Sequence, residues 1–257
     1  EYGFSEFLWQ HSIKQIPKPI ACNLSEHLAL YSFIDGYALS EQDITAKRIG
    51  EAFYFITNLN KHRYSEKSKE LKDASEAYFS VRGQMISIAK RVDRLLGMSV
   101  CDEVSSLAKE FVQKELSEQF EVEQYYALRK AEDFSLDLDK FISGEERVLS
   151  PSDFGFHNML LKGDELYFMD FEYAGWDDPA KLICDFYYQP RFTIAHTISF
   201  SSYADSICNH LNATLGLSSL LRQRVDILQH MFRLKWACII LNEFLRVSEE
   251  RRNFAGM

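Results

Sequence analysis

Apolar residues recur at helical spacing along most of this chain. In the first ten residues, Phe4, Phe7 and Leu8 form a stripe that a helix would bury. Ser40, with Asp43 three residues later, is a capping-box-like start for the next helical segment. The segments with this spacing are 1–10, 40–56, 65–96, 101–128 and 221–245. The pattern predicts a mainly helical chain, in which the third segment is two helices or one bent helix.

Two stretches between the first and second helical segments are predicted to be extended. Residues 16–21 carry two prolines, which forbid a helix there and lead into a strand. Residues 27–34 are apolar and aromatic and end at Asp35-Gly36, which is typical of a strand followed by a turn.

The strongest β signal is a hairpin centred on residues 162–165. Two short apolar runs flank this stretch, and the Gly163-Asp164 pair within it is typical of a two-residue turn. The facing pairs that this turn predicts are Leu161 with Leu166, Leu160 with Tyr167, and Met159 with Phe168. Asn158 and Asp170 then lie at the open end of the hairpin, one position out of register and within reach of a common ion.

The residue types at that open end limit the chemistry. Asn158 and Asp170 offer an amide and a carboxylate, and no Cys or second His lies close by to indicate zinc. A few oxygen ligands suit Mg²⁺, which keeps water and shares substrate phosphates. Asp153 precedes Asn158 by five residues in a loop with Pro151 and Gly155. A carboxylate there can accept the proton of an attacking hydroxyl.

Asp153-x4-Asn158, a hairpin and then Asp170-Phe171-Glu172 together resemble the catalytic segment of the aminoglycoside phosphotransferase and choline kinase family, which shares the protein-kinase fold. The resemblance implies that Asp153 is the catalytic base, that Asn158 and Asp170 bind Mg²⁺, and that ATP or GTP is the phosphate donor. Without the resemblance, these residues are a loop cap and polar hairpin ends.

The segment departs from the family pattern at two positions. The family usually has His two residues before the base, where this chain has Pro151, which raises the question of how the loop is held. Glu172 stands where protein kinases have Gly, and it either contacts the metal or substrate or is a solvated acid. His157 is predicted to point to the other side of the chain from Asn158, as a packing or hydrogen-bonding residue.

The resemblance also implies a nucleotide site before residue 36. By this match Tyr31 flanks the base, the Ser32 carbonyl accepts a hydrogen bond from it, and the Ile34 amide donates one to it. The alternative is a plain core strand. Glu1, or alternatively Glu6, matches the helical Glu that pairs the phosphate-binding Lys, although either could be an ordinary surface residue. That Lys and a Gly-rich loop are expected on a preceding piece of chain, because neither is found here.

Acceptor contacts are expected just after the hairpin. The resemblance makes Trp176 and Asp177 candidates for gripping a polar or cationic acceptor, while the more ordinary roles are a core Trp and a capping Asp. Residues 175–179 are predicted to be a loop, and Asp178 before Pro179 can cap the helix that follows. Asp185 on that helix is a weaker candidate for anchoring the catalytic loop.

The amino-acid composition limits the kinds of partner and the compartment that we expect for this protein. The formal net charge of −9 argues against a nucleic-acid surface and is compatible with a cationic substrate. Five scattered cysteines indicate buried thiols in a reducing compartment. The apolar run 236–241 is too short to span a membrane. We therefore expect a cytoplasmic protein with neither nucleic acid nor membrane as partner.

Together these features predict an α+β, protein-kinase-like fold of two lobes. Residues 1–36 would be the remainder of a small β-containing N-lobe with its hinge, and 37–257 a mainly helical C-lobe with the catalytic segment at 149–178. The predicted function is transfer of a phosphoryl group from ATP or GTP to a hydroxyl of a small molecule, such as an aminoglycoside, choline or a sugar. The alternative is a kinase-like protein that binds a nucleotide or partner without turnover. Metal-assisted hydrolysis is a weaker third possibility.

Overall fold

The computed structural model describes residues 1–245. The fold is α+β, with many helices and small antiparallel sheets, as predicted. The α-helices are α1 Tyr2–Gln10, α2 Ala46–Asn60, α3 Val81–Leu96, α4 Glu103–Phe111, α5 Ser117–Asp133, α6 Pro179–Tyr188, α7 Phe200–Leu215 and α8 Leu221–Leu241. The strands are β1 Pro19–Asn23, β2 Leu28–Tyr31, β3 Tyr37–Ala38, β4 Val148–Ser150, β5 Met159–Lys162, β6 Glu165–Phe168 and β7 Gly175–Asp177. Short 3₁₀ turns are Glu41–Asp43, Glu66–Glu70, Gly144–Glu146, Phe156–Asn158, Ile194–His196 and Asn242–Phe244.

The chain divides into two compact units. Unit 1 contains residues 1–79 and 142–222, and unit 2 contains residues 80–141 with the chain from residue 223 to the end of the described part. Every candidate site residue falls in unit 1. The predicted lobe boundary at residue 36 is a different division of the chain, and it stays a prediction.

The hairpin in unit 1 has the predicted register. β5 and β6 are antiparallel, with Leu161 opposite Leu166, Leu160 opposite Tyr167, and Met159 opposite Phe168. Gly163 takes a positive φ of 62° in the turn, a conformation that glycine adopts without steric cost. β3 adds to the outer side of β5, and β4 pairs with β7 in a separate two-stranded sheet.

Aromatic packing beneath the hairpin forms part of the core of unit 1. The Phe55 and Phe168 rings stack with centroids 3.9 Å apart, so α2 supports the back of β6. Phe53 and Phe154 each lie 5.1 Å from Phe186 of α6. Because Phe154 follows Asp153 directly, this buried cluster also fixes the chain beside the candidate base.

Unit 2 is helical in its described part. A π-helix, Val112–Leu116, joins α4 to α5 without a break, and it buries Val112 and Leu116. Glu123 of α5 is buried, where its carboxylate oxygens lie 3.1 Å from Arg233 Nη2 and 3.2 Å from His230 Nδ1.

Several local predictions need correction. The Ser40 capping box forms but closes only a 3₁₀ turn, and Thr45 caps the long helix α2. Residues 65–96 are predicted to be two helices or one bent helix. They form one 3₁₀ turn at 66–70, an irregular stretch and then α3, so the acid–base run does not continue as a helix. Leu28 and Leu30 are 66% and 57% exposed, so β2 is not a core strand.

The prediction of buried cysteines is confirmed for only three of the five. Cys184, Cys208 and Cys238 are buried as predicted, whereas Cys22 and Cys101 are exposed. None of the helices within residues 1–245 combines the length and apolar content that a membrane crossing would require.

Candidate active site

The loop that carries Asp153 begins at the end of β4. The side-chain amide of Asn60 binds both backbone groups of Leu149 in this strand, since its Nδ2 donates to the Leu149 carbonyl at 2.9 Å and its Oδ1 accepts from the Leu149 amide at 2.7 Å. Ser152 then takes a φ of 68°, which costs a non-glycine residue about 1 kcal/mol or more. Such a conformation persists only where neighbouring contacts determine it.

Asp153 and Asn158 meet directly. The Asn158 Nδ2 atom donates to the Asp153 backbone carbonyl at 3.0 Å and to Asp153 Oδ2 at 3.2 Å. The amide oxygen of Asn158 is then the atom that it can offer to a cation. The half-exposed Asp153 carboxylate keeps contact with solvent.

Asp170 reaches the same place from the other strand of the hairpin. The Met169 amide donates to the Asn158 carbonyl at 3.0 Å, which closes the open end of the hairpin, and Asp170 follows with a φ of 62°. Asp170 is exposed, and desolvation first, then the charges of Glu172 and Asp153, raise the pKa of its carboxyl. The structure therefore brings Asp153, Asn158 and Asp170 together, with Glu172 exposed beside them.

His157 belongs to this group, contrary to its predicted direction. Its Nε2 lies 3.2 Å from Asp153 Oδ1, so the ring faces the candidate base and is a hydrogen-bonding residue within the site. The 3₁₀ turn at 156–158 rotates it there, a geometry that strand alternation alone does not predict. Gly155 leaves room for the ring, because a Cβ on residue 155 would lie 2.7 Å from His157 Nδ1.

The residues predicted to bind the nucleotide share a cavity with Asp170. The cavity has a volume of about 290 Å³, and Glu1, Ser32, Ile34 and Asp170 are among its lining residues. Within residues 1–245, neither the Ser32 carbonyl nor the Ile34 amide has a hydrogen-bond partner, although Ile34 is buried. Tyr31 also lines the cavity, where burial and the Glu1 charge raise its pKa to about 12.

Trp176 and Asp177 are not at the surface of this group. Residues 175–177 form β7 instead of the predicted loop, and the strand buries Asp177 completely. The Asp177 carboxylate binds Lys181 Nζ at 2.5 Å, and Trp176 Nε1 donates to the Ser68 carbonyl at 3.1 Å. Trp176 is therefore a half-buried packing residue, and Asp177 is a buried ion-pair partner that does not face solvent. Asp178 caps α6 as predicted, since its Oδ1 accepts from the Ala180 amide at 2.8 Å.

Lys181 also contributes to the site, although the sequence pattern does not single it out. It is only 2% exposed, and its Nζ donates to Ser152 Oγ at 2.9 Å as well as to Asp177. Burial alone would lower the pKa of Lys181, but the Asp177 and Asp185 carboxylates outweigh it and raise that pKa. The four-residue spacing from Asp177 to Lys181 on a helix start was a visible signal for an ion pair, whereas its burial was not visible.

The donor set fits a hard divalent cation. No group of three or more His, Cys, Asp or Glu side chains in residues 1–245 is arranged to hold a metal ion. One amide oxygen and one carboxylate satisfy a different need, that of Mg²⁺ bound mainly through water and phosphate. The acid-rich surroundings that raise the pKa of Asp170 are a place where such a cation would relieve repulsion.

Comparison with known proteins identifies the fold. Neither the protein-family models nor the curated protein sequences give a match. Among solved structures, Plasmodium vivax ethanolamine kinase is 16% identical, with a TM-score of 0.57 over 95% of this chain and 66% of that chain. Spectinomycin phosphotransferase in complex with ADP and spectinomycin is 14% identical, with a TM-score of 0.60 over 95% of this chain and 72% of that chain. Choline kinase from Cryptosporidium parvum is 13% identical, with a TM-score of 0.57 over 96% of this chain and 73% of that chain.

These similarities show the fold of the choline/ethanolamine kinases and aminoglycoside phosphotransferases. The predicted resemblance is thus confirmed for the fold. The chain spans about two thirds of the length of the ethanolamine kinase.

Proposed function

We propose that this protein transfers the γ-phosphoryl group of ATP or GTP to a hydroxyl of a small molecule. The observation that carries the proposal is the convergence of Asp153, Asn158 and Asp170 at the open end of the hairpin. These residue types, in this chain order, are those that protein kinases use for metal-assisted phosphoryl transfer. The fold of small-molecule kinases supports the same reaction class.

Asp153 is the proposed base. Its two carboxylate oxygens are oriented by Asn158 on one side and His157 on the other, which limits rotation of the group. The acceptor hydroxyl donates to this carboxylate and transfers its proton there as its oxygen bonds to the γ-phosphorus. The bond from that phosphorus to the bridging oxygen breaks, and the nucleoside diphosphate departs.

Asn158 and Asp170 are the proposed ligands of Mg²⁺, which when bound neutralises phosphate charge. Glu172 stays a candidate for contact with the metal or the acceptor because it is exposed beside Asp170. The acids at this end of the hairpin favour an acceptor alcohol that carries a positive charge.

The proposed nucleotide site is the cavity lined by Ser32 and Ile34. The Ser32 carbonyl and the Ile34 amide, which have no hydrogen-bond partner in the described part of the chain, offer one acceptor and one donor to the edge of a purine. Glu1 lines the same cavity and is the proposed partner of a phosphate-binding Lys.

A nucleotide-consumption screen tests the proposal. The purified full-length protein is incubated with ATP or GTP, Mg²⁺ and a panel of amino alcohols, sugars and aminoglycosides, with methyl-ether analogues as matched controls. We expect consumption that requires a free hydroxyl, together with a phosphorylated product in the mass spectrum. Nucleotide binding without product across the panel would support the non-catalytic alternative, and consumption without any acceptor would indicate hydrolysis.

A further inference from the structure

We propose that Lys181 is a positioning residue for Asp153 and that it acts through Ser152. The inference rests on the proposed function, because it assigns a role in holding the proposed base. It also answers the question raised by Pro151, which stands where a loop-supporting His is usual in the resembled family.

Lys181 joins two segments of unit 1. It lies in the first turn of α6, directly after β7, and its Nζ binds Asp177 Oδ2 at 2.5 Å and Ser152 Oγ at 2.9 Å. Lys181 and Asp177 are 2% and 0% exposed, so water cannot replace either partner. The start of α6 is thereby tied to the residue that precedes Asp153.

The hydroxyl and the backbone amide of Ser152 are both hydrogen-bonded to neighbouring residues. Its hydroxyl accepts from Lys181 and donates to the Ser75 carbonyl at 3.2 Å, and its amide donates to Ser150 Oγ at 2.9 Å. These bonds hold its backbone in the left-handed region, at a φ of 68°. Because Asp153 is the next residue, the direction of its Cα–Cβ bond depends on that backbone conformation.

A counter-ion role for Lys181 makes a different prediction. If Lys181 only neutralised Asp177, replacing both by neutral residues of similar shape would leave the loop unaffected. If Lys181 holds Ser152, the neutral pair would fold but would still lack the bond to the Ser152 hydroxyl. The two roles are therefore separable by mutation.

The experiment compares Ser152→Ala with the double variant Lys181→Met/Asp177→Asn, in the full chain. We expect each to lower kcat by ~10- to 100-fold, the usual effect of removing an orienting partner behind a functional residue, with the KM for nucleotide changed less than twofold. Adding Ser152→Ala to the double variant should cost less kcat than Ser152→Ala costs in wild type, because the two changes share the bond between Lys181 and Ser152, whereas the bond from Ser152 to the Ser75 carbonyl is lost only with Ser152→Ala. Ser75→Ala is the matched control, since Ser75 is exposed and offers Ser152 only its backbone carbonyl. Wild-type kcat in the double variant, or in Ser152→Ala, would overturn the inference.

A second readout does not depend on activity. His157 Nε2 contacts Asp153 Oδ1, so the NMR signal of the His157 ring reports where Asp153 lies. We expect that signal to shift in Ser152→Ala and in the double variant but not in Ser75→Ala. If the His157 signal shifts in these variants but the protein transfers no phosphate, the proposed function would be wrong, while the positioning of Asp153 by Lys181 would still be supported. An unchanged signal in both variants of an active enzyme would contradict the positioning role alone.

Discussion

The aspartates at the two ends of the β5–β6 hairpin have pKa values that are shifted in opposite directions. At the turn, Lys47 donates to Asp164 at 2.6 Å and Arg48 also binds its carboxylate, so the pKa of Asp164 is lowered. At the open end, Asp170 is exposed, and its pKa is raised by desolvation first and then by the charges of Glu172 and Asp153.

The difference indicates that the charge of Asp164 stabilises the hairpin, whereas the charge of Asp170 serves function. The turn pairs its acid with two cations of α2, which fastens the hairpin to the helix behind it. The open end gathers acids without a Lys or Arg among the groups that shift Asp170, an arrangement that costs stability unless a cation binds. We expect substitutions at the open end to change activity and substitutions at the turn to change stability.

The largest effect is expected for Asp153→Asn. The amide keeps the size of the side chain but cannot take the acceptor proton, so turnover should fall by a factor of ~10² to 10⁴ while nucleotide affinity changes little. Steady-state turnover and nucleotide titration on one preparation measure both quantities. Turnover equal to that of wild type would remove Asp153 from the mechanism.

Gly155→Ala tests the orientation of the base. A methyl at residue 155 would approach His157 Nδ1 to 2.7 Å and Cε1 to 2.8 Å, so the ring must shift, and we expect its contact with Asp153 to change. We expect kcat to fall by up to about 10²-fold without loss of folding, because a small misplacement of a catalytic group is costly. Full activity with a displaced ring, seen by NMR, would show that His157 does not orient Asp153.

Gly163→Ala probes the turn. No heavy atom lies within 4 Å of a Cβ placed on residue 163, so the penalty comes from its φ of 62° and should be about 1 kcal/mol in the free energy of unfolding. Denaturant unfolding measures it, with Gly50→Ala in α2 as a control that should stabilise the protein slightly. Stability unchanged in Gly163→Ala would contradict the turn conformation.

Asp164→Asn is expected to have the smallest effect. The folded pKa of Asp164 is lowered by Lys47 first and then Arg48, so its ion pairs stabilise the protein at neutral pH and that contribution is lost as the pH falls through the folded pKa. The variant should melt slightly below wild type at pH 7 and together with it at strongly acidic pH, while turnover stays unchanged. A melting difference that grows on acidification would contradict this account.

The hairpin was predictable because its register depends on local features. The Gly163-Asp164 turn and the apolar runs beside it determine every facing pair, and those pairs place Asn158 near Asp170. The direction of His157 depends on a 3₁₀ turn, and the burial of Asp177 depends on β7 pairing with β4 and with residues 72–74. The partners of β7 are distant from it in sequence, so the pattern along the chain could not reveal them. The 3₁₀ turn is local, but strand alternation does not predict it.

Binding of a divalent ion at the open end of the hairpin is the most direct test of the central claim. Mn²⁺ can stand in for Mg²⁺, and water-proton relaxation can follow its binding to the protein–nucleotide complex. We predict a strong enhancement for wild type and Asp164→Asn and its loss in Asp170→Asn. Equal enhancement in all three proteins, or none in wild type, would contradict the account.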